Sequence, residues 1–345
     1  MRAWILVFGL QIACHGDKPI ESPATRVGAT WLRVGAKGVT GSAALHGPHG
    51  AFVGDVRLEL VTVGLARWEL AVGPLRSPPK IETMPLLDGC LETSIAATRE
   101  RRFFQCTRED HVFRVFDEHG TVLYSRSGVQ PGRGRLWAIS ELGDLLIEGA
   151  CVYGEDCAPL VRSADRSLHV VPNALDQEFF AVRVTPGGMV VAAGLDRSGV
   201  TSVYVSRNHG RTFHSTRVPF VTDLTGEEWL PYVHVGTVHA DDVGRVVVLS
   251  RAKNWLRWES SDFGMTFTGK TVSIDVESID LAGARGLAYA DSGATFETND
   301  AGATWHRVAA APLGIPRNDI RELVACTVSG CLVDVKLARL GWDLP

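Results

Sequence analysis

No run of eighteen apolar residues occurs anywhere in the 345-residue chain, so nothing in it is long enough to span a bilayer as a helix. No sustained 3.6-residue apolar periodicity is present either, which excludes a helical bundle. The chain lacks a strong charge of either sign. Its net charge is −4, and this argues against a nucleic-acid binder working through bulk electrostatics. A Gly-x-Ser-x-Gly elbow, a P-loop and a dinucleotide fingerprint are all missing. No cofactor is implied. With 45% hydrophobic and 21% charged residues, what remains is an ordinary globular composition with a sizeable core.

What is present is a set of short apolar runs broken by Gly, Pro, Asp and Asn turns. Strands are predicted at 56–63, 112–116, 121–124, 145–147, 182–184, 189–192, 246–249 and 332–335. Many short strands with frequent turns predict an all-β fold.

One eight-residue pattern occurs three times: hydroxyl, any, Asp or Asn, any, Gly, any, Thr, aromatic. Its copies are Ser206–Asn208–Gly210–Phe213, Ser260–Asp262–Gly264–Phe267 and Thr298–Asp300–Gly302–Trp305. An Asp or Asn can accept backbone N–H groups two residues on and so close a tight turn. The Gly takes a positive φ at no steric cost. The aromatic then buries a large ring under a hairpin. These residues resemble the Asp-box, or BNR, repeat of β-propellers such as sialidases, sortilin-like domains and photosystem II assembly factor-like proteins. The resemblance covers residues 206–305 and implies a propeller fold, with the boxes structural rather than catalytic.

Spacing extends the repeat. Large residues at Trp68, near Leu123, near His169, and at Phe213, Phe267, Trp305 and Trp342 lie roughly 35–55 residues apart, the length of a four-stranded blade. Ser163–Ser167 reads as a decayed box and Asp117–Gly120 as a plain hairpin turn. The expectation is seven four-stranded blades in a single domain over 26–345, with six or eight blades as alternatives. A strand around 29–34 would close the ring against the last blade, because an open ring exposes two sheet edges.

The first fourteen residues carry Arg2 and a short apolar run, as a secretion signal does. Leu10-Gln11-Ile12-Ala13-Cys14 resembles a bacterial lipoprotein signal, which implies lipidation at Cys14 and anchorage to a membrane. An ordinary cleaved signal is the other reading. Residues 15–25 then form a short polar tether. Apart from Cys14, six cysteines remain and fall into local pairs: Cys90 with Cys106, Cys151 with Cys157, and Cys326 with Cys331. Behind a secretion signal this pattern favours disulfides in an oxidising compartment. A zinc site competes, but no second ligand group lies at normal spacing, and no metal is expected.

Function is less legible. A sialidase-like hydrolase needs an arginine triad, a Tyr–Glu nucleophile pair and an acid, usually after an Arg-Ile-Pro motif. That motif is absent. The loop Glu227-Glu228-Trp229-Leu230-Pro231-Tyr232 offers two carboxylates, an indole and a phenol. Glu227, Glu228, Trp229 and Tyr232 are therefore candidate ligand-binding residues, with Trp229 packing as a cap between blades as the alternative. Arg99-Glu100-Arg101-Arg102 is the densest basic spot and reads as a solvated loop. His234 and His239 frame a short strand near Asp241 and Asp242, on opposite faces if the strand is regular. The expected protein is an exported or lipid-anchored propeller, monomeric, that binds a protein or glycan on one face. The alternative is a diverged sialidase-like glycoside hydrolase.

Overall fold

The computed structural model describes residues 42–44, 50–53, 56–62, 67–74, 80–129, 134–150, 152, 158–218, 234–251, 254–290, 294–307, 320–327, 330–335 and 338–343. The candidate signal and tether, the strand expected around 29–34, and the Glu227–Tyr232 loop lie outside these residues, as do Cys151 and Cys157.

The described residues form seven antiparallel sheets, each built from strands consecutive in the chain. The first has five strands, β1 (Ser42–Ala44), β2 (Gly50–Val53), β3 (Val56–Thr62), β4 (Trp68–Pro74) and β5 (Lys80–Thr83). The second holds β6 (Glu92–Ala97), β7 (Arg102–Thr107), β8 (Val112–Asp117) and β9 (Val122–Ser127). The third holds β10 (Arg135–Ala138), β11 (Leu145–Glu148), β12 (Leu160–Arg162) and β13 (Leu168–Val170). The fourth holds β14 (Ala174–Val184), β15 (Val190–Asp196), β16 (Thr201–Ser206) and β17 (His214–Arg217). The fifth holds β18 (His234–Ala240), β19 (Val246–Arg251), β20 (Trp255–Ser260) and β21 (Thr268–Thr271). The sixth holds β22 (Ser278–Ala282), β23 (Arg285–Tyr289), β24 (Thr295–Thr298) and β25 (His306–Arg307). The last sheet has three strands, β26 (Ile320–Thr327), β27 (Gly330–Val335) and β28 (Ala338–Asp343).

Core formation runs between sheets, which is why the sheets form a ring. Leu58, Leu60 and Leu70 of the first sheet share one apolar cluster with Ile95, Phe104 and Phe116 of the second. Phe103 and Phe113 pack with Leu136, Leu145 and Ile147 of the third. Trp137 and Val161 meet Val182, Val190 and Tyr204 of the fourth. Val191, Val203 and Val205 join Val238, Val246 and Trp258 of the fifth. Val247, Leu249 and Trp255 meet Ile279, Leu281 and Ala288 of the sixth. Central strands β15 and β16 are buried along their whole length because both faces are covered by neighbouring sheets. Beyond the sixth sheet, β22 lies against β26, and β26 lies against β1, so the last sheet returns to the first.

The eight strands predicted between 56 and 335 all appear among these elements, with small differences at their ends. Trp68 and Trp342 differ from the other spacing marks. Trp68 opens β4 in the middle of the hydrogen-bonded run of a five-stranded sheet, with β5 outside it, and Trp342 lies in β28, the third and last strand of its sheet. Spacing alone does not count strands within a unit.

Candidate functional site

The three repeats join the third strand of a sheet to its fourth, at Ser206–Phe213, Ser260–Phe267 and Thr298–Trp305. Their turns share one hydrogen-bond scheme. Ser260 Oγ accepts the N–H of Asp262 at 3.2 Å and of Gly264 at 2.8 Å, and donates to Asp262 Oδ1 at 2.7 Å. Asp262 then reaches four residues on. Its Oδ1 accepts Thr266 N–H at 2.9 Å and its Oδ2 accepts Thr266 Oγ–H at 2.6 Å. Thr298, Asp300 and Thr304 repeat this scheme, with Thr304 N and Oγ1 at 2.8 and 2.6 Å from Asp300. In the third copy Asn208 keeps the acceptor for Thr212 N–H at 2.9 Å, and its Nδ2 donates to Thr212 Oγ1.

This corrects the expected geometry. The hydroxyl, not the acid, takes the N–H two residues on, while the acid spans the whole turn. Two successive residues also adopt positive φ. They are His209 and Gly210 (59° and 82°), Phe263 and Gly264 (61° and 79°), and Ala301 and Gly302 (58° and 77°). A Cβ on Gly264 would stand 2.8 Å from Val205 Cγ2 in the preceding sheet, so the glycine is required by space as well as by φ.

Each repeat is sewn to its own inner hairpin. His209 N–H donates to the Gly188 carbonyl, Phe263 N–H to that of Gly244, and Ala301 N–H to that of Ala284. It is also keyed to the sheet before it. Arg257 Nε of the fifth sheet donates to the Ala301 carbonyl at 3.0 Å, and His214 Nε2 sits 2.9 Å from the Phe263 carbonyl oxygen. The repeats therefore share one face with the turns joining first and second strands. In Ser163–Ser167 the backbone instead closes Ser163 N–H onto the Ser167 carbonyl. Asp165 accepts Ser167 N–H, and the link to the inner turn is made by Asp144 Oδ1 accepting Ala164 N–H at 2.8 Å.

Inner turns of neighbouring sheets meet on this face. Asp242 in the fifth sheet accepts from the Thr185 hydroxyl and from Gly187 N–H in the fourth. Glu141 in the third accepts Arg99 N–H in the second at 2.9 Å. Nearby a surface cleft of about 380 Å³ opens between the first and second sheets, lined by Val56, Leu58, Thr98, Arg102, Glu118 and the exposed turn Arg99–Arg101.

Titratable groups follow the same geometry. Hydrogen bonds from Ser260 and then Thr266 hold the Asp262 carboxyl down at about 2. Burial works against ionisation of Asp300, and the Thr304 and Thr298 bonds outweigh it, leaving its pKa below the usual range. Burial lowers His239 to about 4, so this imidazole is neutral at pH 7. Buried Asp280 on β22 pairs with Arg183 of β14 at 3.0 Å, bridging the fourth and sixth sheets past the fifth. Among the described residues no cluster of three or more metal-ligating side chains occurs.

Cys90 and Cys106 are bonded, with Cα atoms 5.4 Å apart, and Trp68 Nε1 donates to the Cys90 carbonyl at 3.0 Å. The register of β26 and β27 sets Cys326 opposite Cys331. Tyr204 lies fully buried in β16 and donates to the Leu195 carbonyl, as a packing residue does. Sequence reading did not find the Arg183–Asp280 bridge or the cleft between the first two sheets. The bridge joins residues 97 apart, and no local signal marks it.

No family model matches the chain, and no curated protein matches it. Solved structures do. YCF48 bound to D1 peptide matches with a TM-score of 0.51 at 10% identity, over 92% of this chain and 99% of that one. The β-propeller domain of Cps50 (Swd1) from Myceliophteria thermophila matches with a TM-score of 0.50 at 8% identity, over 90% and 98%. Puromycin hydrolase matches with a TM-score of 0.50 at 13% identity over 90% of this chain, which spans 51% of that structure. At these identities the likeness speaks to architecture alone, and together with the ring of sheets it makes this chain an all-β propeller.

Proposed function

We propose that the protein is an exported Asp-box propeller that works as a non-catalytic binding or scaffold module, held at a bacterial membrane through Cys14. The observation that carries this reading is how the repeats use their chemistry. Every functional group of Ser260, Asp262 and Thr266 is spent on closing its own turn, as is every group of Thr298, Asp300 and Thr304. The repeats are scaffold, and recognition is left to side chains displayed between them. Among the structural neighbours, YCF48 is bound to D1 peptide, which supports a protein or peptide partner here. Residues Glu227, Glu228, Trp229 and Tyr232 remain candidates for such contacts.

The test has two arms. The protein is assayed with a fluorogenic sialoside and should show no turnover above buffer; turnover abolished by Glu227→Gln or Tyr232→Phe would replace this reading with a diverged sialidase. In cells, Cys14→Ser should release the protein from the membrane fraction, since multiple acyl chains are what make such anchoring stable. Unchanged membrane association would count against lipidation.

A further inference from the structure

The cleft between the first and second sheets is built around a turn clamped from both sides. Arg102 N–H donates to Glu118 Oε2 within the second sheet, and Arg99 N–H donates to Glu141 Oε2 of the third at 2.9 Å. Thr98 closes the same turn, with its backbone N–H donating to the Arg101 carbonyl at 2.8 Å. Glu118 and Glu141 each accept a backbone N–H through one oxygen, and Glu100 of the same turn lines the cleft beside Arg99 and Arg101. Arg102 itself is paired, its Nη1 lying 2.8 Å from Glu82 Oε2. The guanidiniums of Arg99 and Arg101 have no partner among the described residues. Arg101 also crosses toward the third sheet, where a Cβ on Gly143 would stand 2.9 Å from its Nη1. There it approaches Arg162, whose own pKa is lowered first by burial and then by the nearby charges of Arg166 and Arg101. The nearby carboxylates of Asp144 and Asp165 offset part of that repulsion.

Beneath these charges the floor is apolar. Leu58 is 3% exposed and belongs to the core, while Val56 beside it is 38% exposed. At about 380 Å³ the cleft lies at the small end of ligand-site volumes, room for a small organic group and not for a folded domain. A guanidinium matches a carboxylate in planar, two-bond geometry, and an aliphatic stem matches Val56 and Leu58.

We infer that this cleft is a binding site for an aliphatic carboxylate, with the carboxylate held by Arg99 and Arg101 and the stem lying on Val56 and Leu58. The stem and acid can belong to a free short-chain acid or to an acidic residue beside an aliphatic one in a peptide. The inference deepens the binding-module reading and rests on it.

The probes are hexanoate, the peptide acetyl-Leu-Glu-Leu-amide, hexanamide and inorganic phosphate, titrated into the full mature protein by calorimetry. Saturable one-site binding of hexanoate or the peptide is expected, and the tighter of the two names the source. Hexanamide and phosphate should bind at least about tenfold more weakly, because each lacks one half of the recognition. Arg99→Ala/Arg101→Ala should weaken the acid by about tenfold or more at an unchanged melting temperature, and Val56→Asp should do the same from the floor. Equal binding of phosphate would reduce the site to a bare basic patch and overturn the inference. So would binding unchanged in the double variant, or no binding of either acid. Sialoside turnover would sink the binding-module reading while leaving these titrations intact, so the two failures can be told apart.

Discussion

Ser260→Ala is the sharpest probe of how the repeat holds the ring together. Ser260 is 2% exposed, and its hydroxyl makes three hydrogen bonds inside the turn. Removing the oxygen strands the Gly264 N–H, which is buried against Val205. A buried donor left unsatisfied costs about 1–3 kcal/mol. At roughly 2–4 °C for each kcal/mol, the melting temperature should fall by about 2–12 °C, toward the lower end for a chain of this size. The same change removes the largest influence holding the Asp262 carboxyl down at about 2, so its titration should move up toward 3.8. Calorimetry reads the first effect and carboxyl-carbon NMR the second. Ser260→Thr supplies the internal control, because Thr298 fills the equivalent position in the next repeat with the same three bonds. It should retain both properties. If Ser260→Ala melts no lower than the exposed Ser125→Ala, and the Asp262 titration stays where it was, the hydroxyl does not organise the turn and the structural account of the repeat is wrong.

Three further outcomes are expected. Arg183→Met should destabilise the protein by about 1.5–3 kcal/mol in denaturant melts, since it removes a charge-assisted hydrogen bond to the buried Asp280 carboxylate. A loss near zero would show that the bridge between the fourth and sixth sheets is ornamental. His239 has a folded pKa of about 4 against an ordinary value of 6.5, so between these values the unfolded chain binds the extra proton. Its contribution is therefore fully present above about pH 6.5 and is lost as pH falls toward 4. His239→Gln should flatten that limb of the stability profile, and an identical limb in the variant would refute the assignment. Mass spectrometry of a non-reduced digest of exported protein should find Cys151 joined to Cys157 and Cys326 to Cys331; free thiols there would contradict an oxidising compartment.

The sequence by itself determined whatever depends on neighbours along the chain. Ser260, Asp262, Gly264 and Phe267 lie within eight residues, and their spacing alone specifies a hairpin tip. Its threefold occurrence, with turns elsewhere at similar intervals, specifies repeated antiparallel sheets, because each sheet is made of consecutive strands. Even there the division of labour was hidden, since only the tertiary structure shows the hydroxyl serving Gly264 and the acid reaching Thr266. Phe263 at a positive φ was equally invisible, as nothing in a phenylalanine announces it. The structure alone decided everything that crosses between sheets. Arg183 meets Asp280, Asp242 meets Gly187, and Glu141 meets Arg99 because ring closure brings separate inner strands and turns together. Arg99–Arg102 read as a solvated loop for the same reason. Its charge is local, but the carboxylate of Glu141 that clamps it and the apolar floor at Val56 come from distant strands and turns. A binding site between two sheets has no periodicity to read, because its spacing is set by packing rather than by the chain.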